Sequence, residues 1–217
     1  MYNSGDKFII SQSRAKFPQS YEGLGLLDKM INDFIEEKER KKMSGKIGER
    51  LPSVIFKTRV RDETIKGDNP YKWLSVYTDE YFENKKVILF SLPGAFTPTC
   101  STYQLPGFEA LYEQFKEKGI DDIYCISVND AFVMNAWAKD QNLKNVKVIP
   151  DGNGEFTEGL GMLVQKHNLG FGARSWRYAM VVDNGTIKQW FEEPGYIDNA
   201  EDDPYGETKP ENILSSL

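Results

Sequence analysis

Cysteine and histidine are nearly absent from this chain. It holds two cysteines, Cys100 and Cys125, and one histidine, His167. That set is too small for a Cys/His zinc site within one chain, and it excludes a small secreted scaffold stapled by disulfides. Sparse cysteine suits a reducing intracellular compartment. No apolar run approaches the roughly 18–20 residues that span a bilayer, so a soluble chain with no membrane segment is expected. A basic stripe with interleaved aromatics is also missing, and the net charge is −6; nucleic acid is therefore not an expected partner. No internal repeat is evident.

What remains is an ordinary globular composition over 217 residues, 40% hydrophobic and 28% charged, enough for one domain with a real core plus an extension. The first twenty-odd residues are polar and rich in Ser, Lys and Arg. No long apolar stretch follows Met1, so no secretory signal is expected. The composition suits an organellar presequence, or its remnant, as well as a frayed terminus; cytoplasm, mitochondrion and plastid all stay open. Leu26, Leu27, Met30, Ile31, Phe34 and Ile35 then fall at helical spacing before a charged run at 36–42, which predicts a short amphipathic helix. Ser44-Gly45-Lys46 reads as a boundary, giving an N-terminal extension over 1–43 and a compact domain over 44–217.

Within that domain apolar runs predict strands at 54–60, 85–91, 123–128 and 146–149, with a shorter apolar stretch around Trp73. Residues 178–182 and 186–191 flank Asp183-Asn184-Gly185, which predicts a hairpin; the sequon Asn184-Gly185-Thr186 is more simply that turn. Helices are expected after Cys100, bent at Pro106, after the Asn129-Asp130 pair as a cap, and over 210–217 with Pro210 near the start. The Asp151-Gly152-Asn153-Gly154 cluster is not a calcium loop, because Phe156 and Met162 occupy the positions where Gly and Glu are required. Strands alternating with helices point to an α/β, thioredoxin-like fold, a central mixed sheet flanked by helices.

The stretch Leu92-Pro93-Gly94-Ala95-Phe96-Thr97-Pro98-Thr99-Cys100 links the 85–91 strand to a helical pattern of Phe108, Leu111, Tyr112 and Phe115. A cysteine at a strand-to-helix junction sits where backbone N–H groups and the helix dipole favour an anion, and such placements make a thiol nucleophilic. Thr97, one turn earlier, can put a hydroxyl on the same spot.

Pro93 to Cys100 also resembles the peroxidatic-cysteine motif of peroxiredoxins, Pro-x-x-x-Thr-x-x-Cys. With Ser101 and Leu105-Pro106-Gly107-Phe108, it is similar to the subfamily of plant type-II and mammalian atypical (peroxiredoxin-five-like) members. Val128-Asn129-Asp130-Ala131-Phe132-Val133 and Arg174-Ser175-Trp176-Arg177-Tyr178 resemble segments of the same subfamily, in the same order. The resemblance implies a catalytic set of Cys100, Thr97 and Arg177. Arg174 would be a second basic residue nearby, and Pro93 and Gly94 would support and shield the thiolate. It further implies an antioxidant thiol peroxidase without metal or organic cofactor, acting on hydrogen peroxide, organic hydroperoxides or peroxynitrite, and a homodimer with contacts near the active-site loops.

A magnitude shows what such a site must supply. An ordinary thiol, with a pKa near 8.5, is roughly 3% ionised at pH 7, so complete ionisation gains only about 30-fold, on the order of 2 kcal/mol. Directed donors at the O–O bond must contribute the larger share, and a guanidinium, permanently charged with several N–H groups, suits that task.

Atypical members of the subfamily carry a resolving cysteine in the loop before the terminal helix; residues 195–208 here contain none. Cys125 lies in an apolar strand and reads as core. Recycling is therefore expected from an external thiol, glutathione with glutaredoxin ahead of thioredoxin. The competing class is a peroxide-sensing redox switch that acts by changing partners. A thiol–disulfide oxidoreductase is disfavoured by the lack of a C-x-x-C pair. His167 reads as a surface or capping residue. Gly159, Gly161, Gly170 and Gly172 do not follow a nucleotide-loop pattern and read as a flexible loop near Arg174. Phe96, Trp137 and Phe171 are candidates for core, dimer contact or pocket wall.

Overall fold

Continuous apolar runs mark strands with no wet face. In the computed structural model, which describes residues 46–217, two such runs form the adjacent parallel strands β3 (Lys86–Ser91) and β4 (Asp122–Ser127). The amphipathic helix and presequence expected within 1–43 lie outside the described residues. Strand β5 (Lys147–Pro150) runs parallel to β4. Strand β8 (Tyr178–Asp183) pairs antiparallel with β3, and β9 (Thr186–Glu192) closes that edge. The sheet order is β5-β4-β3-β8-β9. Two hairpins stand apart from it, β1 (Ile55–Arg61) with β2 (Tyr71–Tyr77), and β6 (Leu163–Lys166) with β7 (Gly172–Ser175).

Six helices complete the description: α1 (Thr78–Phe82), α2 (Leu105–Ala110), α3 (Tyr112–Glu117), α4 (Ala131–Asp140), α5 (Glu155–Gly159) and α6 (Pro210–Ser216). The period of two along each strand divides the core into two layers. Val87, Leu89, Tyr124, Ile126, Tyr178 and Met180 meet Phe82 of α1 and Phe156 of α5 on one face. Ile88, Phe90, Ile123, Cys125, Ala179 and Val181 meet Phe108, Phe115, Trp137 and Ile213 on the other, and Cys100 belongs to this second layer. Phe108 stacks on Phe90 with ring centroids 4.0 Å apart; truncating a buried Phe of this kind costs about 3–5 kcal/mol. A mixed sheet between helical layers is the arrangement expected of a thioredoxin-like domain.

Local chemistry explains the junctions. Asn184 and Gly185 take φ of 47° and 73°, the paired positive values of the tight hairpin turn. Asp130 caps α4, accepting from the amides of Phe132 and Val133 at 2.8 and 3.0 Å. The helix after the cysteine is distorted before Pro106 rather than at it. Residues Cys100–Gln104 form a π-helical turn that ends with the Leu105 amide donating to the Cys100 carbonyl. The next residue, Pro106, has no N–H, so the widened turn finishes where the donor series stops. A second break follows at Leu111, between α2 and α3.

Four elements have no counterpart in the sequence reading: α1, α5, β6 and β7. Each is four or five residues long, too short for a period to register. Glycines 170 and 172, expected in a flexible loop, instead take left-handed φ of 70° and 71° around the short helical turn His167–Leu169 that joins β6 to β7. No helix among the described residues is long and apolar enough to cross a membrane.

Candidate active site

Strand β3 delivers the chain at Ser91 into a loop whose backbone is held from several sides. Pro93 and Gly94 are buried. Gly94 leaves no slack: a Cβ there would lie 3.3 Å from Thr97 Cγ2 and 3.7 Å from Asn129 Oδ1. Asn129 accepts from the Ala95 amide at 3.0 Å and from Ser127 Oγ at 2.8 Å, so the end of β4 fixes the loop after β3. Phe96, 53% exposed, adopts φ of 62°, a conformation costly for an aromatic residue and one that clusters at functional sites. The Ser101 amide donates to the Thr97 carbonyl at 3.0 Å. Trp137 of α4 reaches across to donate to Ser101 Oγ at 3.0 Å.

Cys100 sits at the first position of the π-helical turn with no solvent exposure. Arg177, 77 positions later, places Nη1 3.5 Å from Cys100 Sγ. This arginine is itself 1% exposed. Its Nε donates to the Pro204 carbonyl at 3.0 Å, Nη2 to Asp203 Oδ1 at 2.6 Å, and Nη1 also to Gln104 Oε1. A guanidinium carries five N–H groups, so one Nη2–H keeps no acceptor among the described residues. Burial works against the Arg177 charge, but Cys100, then Asp203, outweigh it and raise its pKa. Gln104 in turn donates from Nε2 to the Ser91 carbonyl at 3.4 Å, tying the guanidinium to the end of β3.

Thr97 bonds within its own loop, and Arg174 reaches the end of β4. Thr97 Oγ1 lies 2.7 Å from the Gly94 carbonyl. A carbonyl only accepts, so the hydroxyl hydrogen points there and the oxygen keeps its acceptor capacity toward the loop. Arg174, in β7, donates from Nη1 to the Val128 carbonyl and has the Phe171 ring 5.8 Å away. Its Nε is buried without a partner among the described residues, and burial lowers its pKa. Its charge is thus spent at the end of β4, with no contact to Cys100.

The arrangement brings a buried thiol, a fixed cation and a free N–H to one point, which suits two-electron attack on a small, polarisable bond. The Redoxin family model matches residues 66–204, more than half of the chain. The peroxiredoxin of Rhizobium etli is 67% identical over 168 residues, covering 77% of this chain and 94% of its own. The chain belongs to the peroxiredoxin family.

As a peroxiredoxin it is a thiol peroxidase, and its relatives agree with the subfamily suggested by the motif. The chloroplastic peroxiredoxin-2E of Arabidopsis thaliana is 51% identical over 120 residues, covering 54% of this chain and 51% of its own. The crystal structure of peroxiredoxin 5 from Alvinella pompejana superposes with a TM-score of 0.59 at 33% identity, covering 70% of this chain and 92% of that one. The Plasmodium falciparum antioxidant protein, a 1-Cys peroxiredoxin, gives 0.72 at 40% identity, covering 78% and 97%.

The other singled-out residues fall outside the cysteine pocket. Cys125 is fully buried in β4, on the same sheet face as Cys100. Burial, and then the neighbouring Cys100, push its thiol well above the usual range, and both cysteines are free thiols. Asp151 spends its carboxylate on the start of α5, accepting from the Thr157 amide and hydroxyl at 2.9 and 2.7 Å. His167 is exposed, its amide donating to Asn199 Oδ1 at 2.8 Å. Trp137 is core, whereas Phe96 is exposed beside the pocket. Sequence reading missed Gln104, Asp203 and Pro204, and gave Asn129 a capping role rather than its hold on the Ala95 amide. Gln104 had a signal, lying four residues after Cys100 on one helix face; Asp203 and Pro204, in an aperiodic loop, had none.

Proposed function

We propose that Cys100 is the peroxidatic cysteine and that Arg177 and Thr97 align the peroxide against it. The observation that carries this reading is the buried Arg177 Nη1 at 3.5 Å from Cys100 Sγ. The thiolate attacks one peroxide oxygen, an S–O bond forms as the O–O bond breaks, and the electron pair leaves on the second oxygen. That oxygen takes up a proton and departs as water or alcohol, or leaves unprotonated as nitrite when peroxynitrous acid is attacked, and Cys100 is left as a sulfenic acid. Thr97 Oγ1, its hydrogen committed to Gly94, accepts from the incoming peroxide O–H. The unused Nη2–H of Arg177 is the donor available to the departing oxygen. Pro93 and Gly94 hold the loop closed around sulfur. Arg174 supports the site from the Val128 carbonyl, without touching the reacting atoms. Hydrogen peroxide, organic hydroperoxides and peroxynitrite are the substrate class.

Recycling falls to an external thiol, with glutathione and glutaredoxin favoured over thioredoxin. Two facts support this: residues 195–208 contain no cysteine, and Cys125 is fully buried in a central strand with a thiol held protonated. Because Cys100 has no exposure, an outside partner needs the π-helical turn to open before a mixed disulfide can form. Stopped-flow peroxide consumption with glutathione and glutaredoxin tests the reading: fast turnover in wild type and none in Cys100→Ser is expected. Equal consumption by both proteins would overturn it, and slow turnover with clean sulfenic acid formation would favour the redox-switch alternative.

A homodimer in contact near the active-site loops fits the exposed Phe96 and Tyr103, at 53% and 61%. Sedimentation equilibrium checks it, a monomer at micromolar concentration being the contrary result. The Ser-, Lys- and Arg-rich start of the chain fits an organellar presequence. A fluorescent fusion of residues 1–45 that stays in the cytosol would argue against that address.

A further inference from the structure

We propose that Asp203 is a positioning residue of this site: it fixes which edge of the Arg177 guanidinium faces Cys100. The proposal rests on the reading that Cys100 is the peroxidatic thiol and Arg177 its cation. A buried guanidinium is planar and can present any of its N–H edges to a neighbour, so proximity alone does not aim it. Here two consecutive residues hold the edge away from sulfur. The Pro204 carbonyl takes Nε–H at 3.0 Å, and Asp203 Oδ1 takes one Nη2–H at 2.6 Å. With that edge held, Nη1 is left for Cys100 Sγ at 3.5 Å and for Gln104 Oε1. The second Nη2–H stays open on the same side.

The grip comes from a segment with no helix or strand of its own, so it needs an anchor. Glu193 provides one. It is 1% exposed, and its carboxylate accepts from the Gly206 amide at 2.9 Å, the Thr208 amide at 2.8 Å and the Thr208 hydroxyl at 2.7 Å. The Tyr205 ring completes the clamp, 5.6 Å from the guanidinium carbon. Within the acidic run Glu201-Asp202-Asp203, only Asp203 contributes a side-chain contact to the site. The sequence marks this run only as part of the loop before the terminal helix. The structure turns its last member inward while leaving that side chain 43% exposed, so it stays in contact with solvent.

The arrangement has a consequence that a merely structural contact lacks. Asp203 and a Cys100 thiolate are two anions sharing one cation, so the aspartate aims the arginine while competing with the thiolate for its charge. Cys125, Glu193, Lys209, Glu211 and the Tyr205 phenol are further ionisable groups around this cluster. Neutralising Asp203 should therefore make the thiolate form more readily and react more slowly.

The test compares wild type, Asp203→Asn and Asp203→Glu in the full chain with two readouts. These are the second-order rate of sulfenic acid formation with hydrogen peroxide at pH 7, and the pH profile of iodoacetamide alkylation at Cys100, located by mass spectrometry. For Asp203→Asn the peroxide rate should fall about tenfold to a hundredfold, the range expected when a catalytic group is misplaced by up to an ångström. Its alkylation profile should move to lower pH. Asp203→Glu, which restores the charge, should move the profile back toward wild type and recover part of the rate. An Asp203→Asn rate within about twofold of wild type, or a slower rate with the profile displaced to higher pH, would overturn the proposal. Cys100→Ser, run alongside, separates the two ideas: if it still consumes peroxide, the reading of Cys100 fails regardless of what Asp203 does.

Discussion

Arg177→Lys separates charge from geometry at this site. The lysine keeps a positive charge, so most of the electrostatic help to a thiolate is retained. It loses the planar fork: four acceptors, Cys100 Sγ, Gln104 Oε1, Asp203 Oδ1 and the Pro204 carbonyl, surround the guanidinium, whereas an ammonium offers three donors from one point. At least one charge-assisted bond near the reacting atoms is lost, worth about 1.5–3 kcal/mol. At about 1.36 kcal/mol per decade, that predicts a peroxide rate lowered roughly 10- to 150-fold. Arg177→Ala removes charge and fork together and should lower the rate by far more than the ~30-fold available from ionisation alone. Stopped-flow sulfenic acid formation measures both, with circular dichroism confirming that each variant folds. If Arg177→Lys retains a rate within about threefold of wild type, the directed fork is not required. If Arg177→Ala loses less than about 30-fold, the arginine only tunes thiol ionisation.

Cys125→Ala should leave peroxide turnover with glutathione within about twofold of wild type, because the thiol is fully buried in β4; the small void should cost about 1 kcal/mol in urea unfolding. A turnover loss well beyond that would assign Cys125 a resolving role. Asp122 predicts an acid-dependent stability. Burial raises its pKa, but the bonds from Lys147, Tyr124 and Lys85 outweigh it, and the net shift is downward. A lowered carboxylate pKa stabilises the fold above the unfolded value near 4 and loses that contribution as pH falls below it. Asp122→Asn should cost about 1 kcal/mol at neutral pH after discounting for solvent screening, and should flatten the stability profile below about pH 4. An unchanged acid limb in urea titrations would refute the assignment.

The parts of this protein readable from sequence are those whose cause is local. The apolar runs of β3 and β4 announce buried strands because both faces of the sheet are covered. The Pro-, Gly- and Thr-rich string ending at Cys100 announces a shaped loop rather than a packed one. Arg177 was reachable only through the family resemblance, since nothing local joins positions 77 apart. The direction of the Thr97 hydroxyl depends on the turn made at Phe96, whose left-handed backbone no pattern predicts for an aromatic residue. Arg174 shows the limit of inference by adjacency. It lies three residues before Arg177, but strand β7 sends it to the end of β4, where it meets the Val128 carbonyl. Asp203 and Pro204 carry no periodic or motif signal, and their role exists only through the fold.

The most direct test of the central claim is mass spectrometry of the protein after one equivalent of hydrogen peroxide followed by glutathione. One-cysteine chemistry predicts that Cys100 carries glutathione while Cys125 remains a free thiol. A disulfide between Cys100 and Cys125, or glutathione found only on Cys125, would contradict it.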